Sequence, residues 1–492
     1  MVNSDTKLSL RSKSIYFLGF IPDVVMSNLI TSLALMIYKV ELGVPAALIG
    51  LAIALPRLWE AFTDPIIGSL SDRFRSRWGR RRPFLAVGAV AAGLLCMALW
   101  APVSGLAGLG NIVAWVSSWL GLAYSPSTEW SSNALFWWFL IASVLYLTAY
   151  AAYNVPYQAL GLEMASSDRD RSSLAGFRAA ANNFSWIVIL PFLPLLVTNG
   201  QLGDSPVESV EVLGVLLGLL IIILGLTAAV SSREPPPMAT TTTTTSRHQG
   251  PGLIAGIKVA LSDRAFLMVT GIMCFSLIGF VLAMTLPYFV NLAIVFPGGT
   301  LEAKNNATTM SFWSSIIGNV LAMGFCPMIS PLAERFGRKR MLLIGLGILM
   351  CSFLATPILF SHHWPWLQLI YKIVDTPAIA IVWVLTMPML AEVCDRDSLL
   401  HGVSRQGIFT AMFNWGNKAA MALVAVLSGL VIDWSGFDGK LAFQTPETIS
   451  YLRWMFVVGP LPFLAAAMWF TIRFPLNAQT IQALRQSSTP TP

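Results

Sequence analysis

Two stretches of the sequence are similar to each other: LSDRFRSRWGRRRPFLAVG at residues 70–88 and LAERFGRKRMLLIG at residues 332–345. With one gap of four residues, Asp72-Arg73-Phe74 aligns with Glu334-Arg335-Phe336, and Gly79-Arg80 aligns with Gly337-Arg338. In both stretches an acidic residue, a basic cluster and a glycine join two apolar segments. A repeat of this kind predicts that the chain consists of two related halves.

The composition is that of an integral membrane protein. Of the 492 residues, 55% are hydrophobic and only 11% are charged, whereas about 25% are charged in an ordinary soluble domain. A membrane-spanning helix needs roughly 20 mostly apolar residues. Segments of that kind occur at 14–40, 45–71, 83–104, 134–164, 172–199, 208–231, 265–293, 307–332, 341–361, 365–394, 405–434 and 450–474. We therefore predict an all-α membrane protein with twelve spanning helices in two six-helix halves.

The chain divides in its middle. After the sixth apolar segment comes SSREPPPMATTTTTTSRHQGPG, a stretch rich in Pro, Thr and Gly that can bury almost nothing and is typical of a flexible linker. The predicted parts are an N-terminal half (1–231), a cytoplasmic linker (232–262), a C-terminal half (263–476) and a cytoplasmic tail (477–492).

Basic residues are concentrated in alternate loops. With the N-terminus inside, the inner loops hold the runs Arg73 to Arg82 and Arg335 to Arg340, and the outer loops hold only Lys39, Lys304, Lys440 and Arg453. This asymmetry follows the positive-inside rule and predicts that both termini are cytoplasmic. The net charge of +7 therefore reflects topology and requires no nucleic-acid partner. We expect a multi-pass protein of the cell membrane, which is the inner membrane in a Gram-negative cell.

The second apolar segment carries three charges, Arg57, Glu60 and Asp64, within RLWEAFTD. Their spacing of i, i+3 and i+7 places them on one face of a helix. Each charge at the centre of a spanning helix costs about 2.5 to 3.5 kcal/mol, so these charges need partners or water. Other apolar segments supply candidates at similar depth, namely Asp23, Arg178 and Lys418. Ion pairs that only fix helix register are one interpretation, but a functional role is favoured inside a membrane.

A further pair, Lys372 and Asp375, lies three residues apart in the tenth segment. The two charges either neutralise each other as a structural pair or belong to a site, and the sequence favours neither interpretation.

The repeated inner turns predict a cytoplasmic gate. A glycine lets two helices approach closely, and an acidic residue beside a basic cluster can form ion pairs that break when the halves move. Arginines that only anchor the topology are the alternative interpretation. The predicted gate residues from the two turns are Asp72, Arg73, Arg80, Glu334, Arg335 and Arg338. The five cysteines show no spacing typical of a metal site or of disulfides, so neither is expected, and no cofactor is expected.

Several motifs resemble one known family. RLWEAFTDPIIG and RSRWGRRRP are similar to the second helix and following loop of the glycoside-pentoside-hexuronide:cation symporters, the melibiose-permease branch of the major facilitator superfamily. WVLTMPMLAEVCD resembles the tenth helix of that family, and RQGIFTAMFNWGNK resembles its eleventh helix. The resemblance covers both halves and implies the major facilitator fold.

The resemblance also implies roles for individual residues. Arg57, Glu60 and Asp64 fall on the cation-site helix, and Lys418 falls on the lysine of the eleventh helix. Asp23 and Arg178 fall on an aspartate and an arginine that contact sugar. In the tenth-helix pattern lie Trp383, Glu392 and Asp395, of which Glu392 and Asp395 join the predicted gate.

The fourth helix departs from the family pattern in YNVPYQALGLEM. Asn154 stands where melibiose permeases have an aspartate, Gln158 replaces a tryptophan that stacks on galactose, and Ala151 replaces a hydroxyl that binds sodium. These departures argue against galactoside specificity and against sodium. The remaining charges, three negative and three positive, leave the site formally neutral. Because a proton needs one carboxylate whereas sodium needs several oxygen ligands, we expect proton coupling rather than sodium coupling.

We therefore predict a monomeric symporter, not an enzyme, that carries a sugar or glycoside with a cation through the lipid bilayer. The predicted coupling site consists of Arg57, Glu60, Asp64, Asn154 and Lys418. The predicted substrate site consists of Asp23, Arg178, Tyr157, Gln158 and Trp383. Alternatives are a carrier of a lysophospholipid or an organic anion, and a non-transporting sensor or scaffold. A sensor would more typically carry a soluble signalling domain.

Overall fold

The computed structural model describes residues 8–108, 111, 130–164, 167–232, 253–401 and 405–475, and these residues form helices without a strand. We number the spanning helices first to twelfth in chain order. The first six are Leu10–Ala34, Ala46–Arg73, Arg82–Trp100, Ser132–Met164, Asp168–Phe184 and Pro206–Ser231. The last six are Arg264–Val290, Leu301–Phe336, Arg338–Leu354, Gln368–His401, Gln406–Trp434 and Pro446–Val458, which continues as Leu461–Arg473. The prediction of an all-α membrane protein is confirmed.

Three spanning helices are followed directly by π-helical turns, at Leu35–Glu41, Ser185–Ile189 and Asn291–Val295. The fifth helix continues beyond its π-helical turn as Phe192–Thr198, and a 3₁₀ turn, Pro365–Leu367, precedes the tenth helix. A π-helical turn widens the helix and redirects the side chains that follow it. The C-terminal end of the first helix is therefore wound differently from the rest of that helix.

Eleven of the described helical segments are long and apolar enough to span a membrane. The ninth helix, Arg338–Leu354, has 17 residues, which at about 1.5 Å per residue is shorter than a hydrocarbon core of about 30 Å. A short helix, Thr356–Leu359, follows it and completes the ninth predicted segment. Its proline, Pro357, lacks a backbone N–H and so interrupts the hydrogen bonding between the two helices.

The predicted linker contains structure near its end. A ten-residue helix, Leu253–Ser262, occupies its last part, and the Asp263 carboxylate accepts a hydrogen bond of 2.9 Å from the Phe266 N–H to cap the seventh helix. Residues 233–252 and 476–492, which include most of the predicted linker and the predicted tail, lie outside the described residues.

The chain forms two compact units. The first consists of Met1–Met238, Phe296–Phe312 and Ala425–Gln444. It therefore contains the first six helices, the start of the eighth helix and the end of the eleventh. The second unit consists of Ala239–Val295, Trp313–Val424 and Thr445–Pro492. The division into two six-helix halves remains a prediction from the repeat.

The second helix has two internal prolines, Pro56 and Pro65, and the charges Arg57, Glu60 and Asp64 lie between them. Each proline removes one hydrogen bond to the carbonyl four residues earlier. The helix therefore lacks two backbone hydrogen bonds in and just before its charged part.

Candidate functional site

The arginine of the second helix connects two helices of the first unit. Arg57 Nη1 lies 3.4 Å from Glu60 Oε2 one turn along the same helix, and Arg57 Nη2 donates to the backbone carbonyl of Ser27 in the first helix. Glu60 is only 2% exposed, and Asp64 is half-buried one further turn along. Arg57 thus contacts both Glu60 and the first helix, and a shared site of the three charges stays a prediction.

A chain of amide hydrogen bonds joins the fourth helix to Asp23 of the first. Asn154 Nδ2 donates to the Asp23 carboxylate and, at 3.0 Å, to the Tyr150 hydroxyl. Gln158 Nε2 donates at 3.0 Å to Asn154 Oδ1. Because the amide oxygen of Asn154 accepts the hydrogen bond from Gln158, its amide nitrogen is directed toward Asp23. The Asp23 side chain is buried. Three predicted site residues thus form one connected network.

Three stacked tyrosines pack between the first and fourth helices next to this network. The Tyr157 ring lies 5.0 Å from the Tyr16 ring and 5.4 Å from the Tyr153 ring. The Tyr157 hydroxyl donates to the Tyr16 carbonyl, and the Tyr153 hydroxyl donates to the Gly19 carbonyl at 2.7 Å. Tyr157, predicted to line the substrate pocket, is fully buried here. In this arrangement it holds the fourth helix against the first and thereby positions Asn154.

Arg178, on the fifth helix, has an exposed side chain. Its guanidinium carbon lies 4.9 Å from the centre of the Phe20 ring, one turn before Asp23 on the first helix. An arginine that stacks on an aromatic face keeps the N–H groups at its edge available for a ligand. This geometry places a hydrogen-bond donor beside the Asp23 network.

The two remaining predicted site residues belong to the second unit. Trp383, on the tenth helix, is about half exposed, and Lys418, on the eleventh, is half-buried. Their contribution to a site shared with Asp23 and Arg57 stays a prediction.

The pair in the tenth helix is enclosed. Lys372 Nζ lies 2.9 Å from Asp375 Oδ2, and Thr376 Oγ1 donates at 3.0 Å to the other carboxylate oxygen. The ammonium group lies 5.7 Å from the Phe280 ring centre and 5.2 Å from that of Tyr371, and Asp375 is fully buried. Of the two interpretations that the sequence left open, this geometry favours a structural pair.

The turn between the second and third helices holds a cluster of ion pairs. Arg80 lies 2.6 Å from Glu163, and Arg81 lies 2.8 Å from Glu163 and 3.2 Å from Asp72. Gly79 has a φ of 105°, which a residue with a side chain rarely adopts. Asp72 and Arg80 were predicted gate residues, whereas Arg81 and Glu163 were missed.

The repeated turn of the second unit has a similar arrangement. Gly337 has a φ of 88°, and Arg338 pairs with Glu392 at the inner end of the tenth helix. Because Arg338 aligns with Arg80, the repeat predicts an acidic partner for Arg80 at the inner end of the fourth helix. Glu163 occupies that position, so the signal for the missed residue was present in the sequence.

The other predicted gate residues are exposed in the structure. They are Arg73, Glu334, Arg335 and Asp395, and Arg335 stacks on Phe336 with 5.7 Å to the ring centre. Their role in a gate stays a prediction.

Sequence reasoning also missed a repeated Asp-Arg-Asp, at residues 168–170 after the fourth helix and 395–397 near the end of the tenth. The last aspartate is buried in both copies. Asp397 accepts a hydrogen bond of 2.8 Å from Arg405 Nε, and Asp170 lies 3.8 Å from Lys13 Nζ at the start of the first helix. The buried aspartates thus each contact a basic residue at the start of another helix, or just before it, within the same unit.

Comparisons with known proteins place these features in a family. The family described as MFS/sugar transport protein matches residues 15–478. An uncharacterized symporter of Synechocystis sp. is 25% identical, over 98% of this chain and 97% of that protein. The glucuronide carrier protein homolog of Escherichia coli (strain K12) is 23% identical over 87% of this chain and 85% of its own. The sodium-dependent lysophosphatidylcholine symporter 1 of Xenopus tropicalis is 21% identical over 98% of this chain and 91% of its own.

Solved structures show the same fold. A bacterial homolog of the human lysosomal transporter Spinster has a TM-score of 0.59 at 15% identity and covers 98% of each chain. A D-xylose-proton symporter has a TM-score of 0.54 at 15% identity and covers 94% of this chain and 97% of its own. The predicted major facilitator fold is thereby confirmed.

Proposed function

We propose that this chain, which belongs to the MFS/sugar transport protein family, carries a sugar or glycoside together with a cation by alternating access. The chain is a multi-pass membrane transporter of the symporter type and not an enzyme. The observation that carries the proposal is a set of polar contacts inside the apolar helices of the first unit: Asn154 donates to Asp23, and Arg57 pairs with Glu60. The proposed location is the cell membrane, with both termini cytoplasmic.

The substrate side of the network consists of Asp23, Gln158 and Arg178. A carboxylate, an amide and a guanidinium together offer acceptors and donors, and charged groups form the stronger hydrogen bonds with hydroxyl groups in a partly dry cavity. Arg178 of the fifth helix stacks on Phe20, which lies one turn before Asp23 on the first helix. A ligand with neighbouring hydroxyl groups fits this set.

The cation side consists of Glu60 and Asp64, with Arg57 as the charge partner. Asn154 supports a proton rather than sodium as the coupling ion. Its amide nitrogen donates to Asp23, and its single amide oxygen already accepts a hydrogen bond from Gln158, so this side chain offers a metal ion less oxygen than an aspartate would. A proton needs only one of the two carboxylates, whereas sodium requires several oxygen ligands.

Uptake of labelled sugars and glycosides into proteoliposomes tests the proposal. We expect accumulation when the outside is made more acidic than the inside and no added accumulation with an inward sodium gradient. Dissipating the proton gradient with an ionophore is the control and should abolish accumulation. Accumulation driven only by sodium would contradict proton coupling, and the absence of sugar uptake under every gradient would contradict the substrate class.

A second candidate substrate is a lysophospholipid. The observation that favours it is the full-length similarity to the sodium-dependent lysophosphatidylcholine symporter 1 of Xenopus tropicalis. The same proteoliposomes, supplied with lysophosphatidylcholine and a sodium gradient, distinguish the two candidates. Competition between the lipid and a transported sugar would show that both use one site.

A further inference from the structure

An aspartate of the eleventh helix caps the second helix. Asp433 Oδ1 accepts a hydrogen bond of 2.8 Å from the Ala46 N–H, and Asp433 Oδ2 accepts one of 2.7 Å from the Ala47 N–H. The residue at the N-cap of the second helix is Pro45, whose side chain forms no capping hydrogen bond. The first N–H groups of a helix need such a partner. Here a residue nearly four hundred positions later in the chain supplies it, at a sequence separation of 387.

The same carboxylate forms an ion pair with a third segment. Lys39 Nζ, in the π-helical turn at the outer end of the first helix, lies 2.9 Å from Asp433 Oδ1. Asp433 therefore binds one charged group and two backbone donors at once. Bonds between charged partners are stronger than those between neutral ones, and a carboxylate at a helix N-terminus also interacts favourably with the helix dipole.

A second ion pair lies at the same end of the first helix. Lys304 Nζ, in the first turn of the eighth helix, lies 2.7 Å from Glu41 Oε1 and 2.9 Å from Glu41 Oε2. One helical turn further, the Thr308 and Thr198 hydroxyls are 2.6 Å apart and buried. All of these residues belong to the first compact unit.

The two lysines are unusual for their location. By the topology derived from the sequence, the outer side carries only Lys39, Lys304, Lys440 and Arg453. Two of these four basic residues are engaged in the ion pairs just described. The positive-inside rule disfavours basic residues there, so their presence is accounted for by the acidic partners that they bind.

The backbones of the second and eleventh helices also touch. A Cβ atom on Gly429 would lie 2.2 Å from the Ala46 carbonyl oxygen, and one on Gly50 would lie 2.3 Å from the Ala425 carbonyl oxygen. Glycines at such contacts let helices in a membrane approach more closely than side chains permit. The outer ends of these helices are therefore in close contact over about one helical turn.

We propose that Lys39, Glu41, Lys304 and Asp433 form a latch on the outer face that must open and reform in each transport cycle. The inference rests on the proposed alternating-access function. Asp433 acts in the latch as a detachable cap: when the eleventh helix withdraws, the second helix loses its N-terminal cap and Lys39 loses its ion-pair partner. The second helix also carries Arg57, Glu60 and Asp64. The latch thus connects the outer gate directly to the helix of the proposed coupling site.

A cysteine placed behind the latch reports its opening. Ser428 is buried one residue before Gly429, and replacement of a hydroxyl by a thiol changes its size little. In a background whose five native cysteines are replaced, we would measure the rate at which an impermeant maleimide added outside labels Ser428→Cys. We expect Asp433→Ala, which removes both the cap and the ion pair, to raise that rate at least about tenfold. Lys39→Met, which leaves the cap, should raise it less.

The second pair supplies a matched control. Glu41→Lys alone places two like charges together and should raise the labelling rate, and Glu41→Lys combined with Lys304→Glu restores an ion pair and should return the rate to within about twofold of the parent. If Asp433→Ala does not fold, the Lys39 and Glu41 variants still test the latch. Unchanged labelling in all folded variants, or no recovery in the reversed pair, would overturn the proposal.

The labelling result does not depend on the substrate. Variants that open the outer face while no sugar is taken up would support the latch and contradict the proposed substrate class. Unchanged labelling in a protein that accumulates sugar would contradict the latch and leave the proposed function standing.

Discussion

The second and tenth helices each carry an ion pair between residues three positions apart, but the two pairs have different surroundings. Arg57 pairs with Glu60 at 3.4 Å and also reaches the backbone of the first helix. Lys372 pairs with Asp375 at 2.9 Å, and the Thr376 hydroxyl of the same helix donates a hydrogen bond to the other oxygen of the Asp375 carboxylate. The first pair thus joins a network between helices, whereas the second forms its hydrogen bonds within one helix. Spacing alone therefore predicts that a pair forms and not what it does.

The largest expected effect comes from removing each pair as a whole. Arg57→Met with Glu60→Leu should lower the initial uptake rate at least about 100-fold, or about 2.8 kcal/mol. Lys372→Met with Asp375→Leu, the matched control, should leave uptake within about threefold of the parent, because replacing both members of a buried pair by apolar residues is often neutral for stability. Comparable losses in both double variants, at equal amounts of folded protein, would mean that the two pairs do not differ in role.

The next effect separates coupling from binding. Asp64→Asn removes one carboxylate of the proposed cation side but none of the hydrogen bonds around Asp23. We therefore expect it to abolish gradient-driven accumulation while exchange of labelled for unlabelled substrate continues. Counterflow in preloaded proteoliposomes measures the exchange. Undiminished uphill transport by Asp64→Asn would show that Asp64 is not part of the coupling site.

A smaller effect is expected at the substrate side. Arg178→Ala and Asp23→Ala should each weaken substrate affinity by at least about tenfold, or about 1.4 kcal/mol, because each change removes charge-assisted hydrogen bonds. Equilibrium binding to purified protein measures the change, and Arg178→Lys, which keeps the charge but loses the paired N–H geometry, should give an intermediate value. Normal substrate affinity in both alanine variants would mean that neither Arg178 nor Asp23 belongs to the substrate pocket. A check of thermal stability must accompany the Asp23 variant, since Asn154 loses a partner.

The smallest effect concerns ion choice. Asn154→Asp with Ala151→Thr adds a negative charge and a hydroxyl to the face of the fourth helix beside Asp23. We expect this double variant to gain stimulation by sodium of about two- to fivefold, since oxygen ligands replace the amide donor. Initial uptake with sodium or with choline as the salt measures it. A parent protein that already responds to sodium would contradict the proposed role of the Asn154 amide.

The sequence predicted the fold and the inner turns well because both depend on local patterns. Apolar length defined the helices, and the repeat aligned Arg80 with Arg338, which form ion pairs with a glutamate of the fourth and of the tenth helix, respectively. The repeat would also have indicated Glu163, had the ends of the fourth and tenth helices been compared.

Helical periodicity places Tyr157 beside the polar network. Tyr150, Asn154 and Gln158 recur every four residues, and Tyr153 and Tyr157 form a second set whose face adjoins the first, since Tyr157 lies two turns after Tyr150. Polar residues of the first set form the network with Asp23, and the second set is buried. Contacts such as that between Asp433 and the second helix could not be predicted, because they depend on packing between segments that are distant in sequence.

The hydrogen bond between Arg57 and the Ser27 carbonyl has a consequence for biogenesis. The first and second helices are consecutive and are joined by only a short turn, so they can enter the membrane together as a helical hairpin. Within that hairpin the guanidinium already has a backbone acceptor, and its glutamate lies one turn away. Insertion of the second helix alone would instead expose several charges to lipid, each costing about 2.5 to 3.5 kcal/mol. The first helix thus acts as an insertion partner for the second before any substrate is encountered.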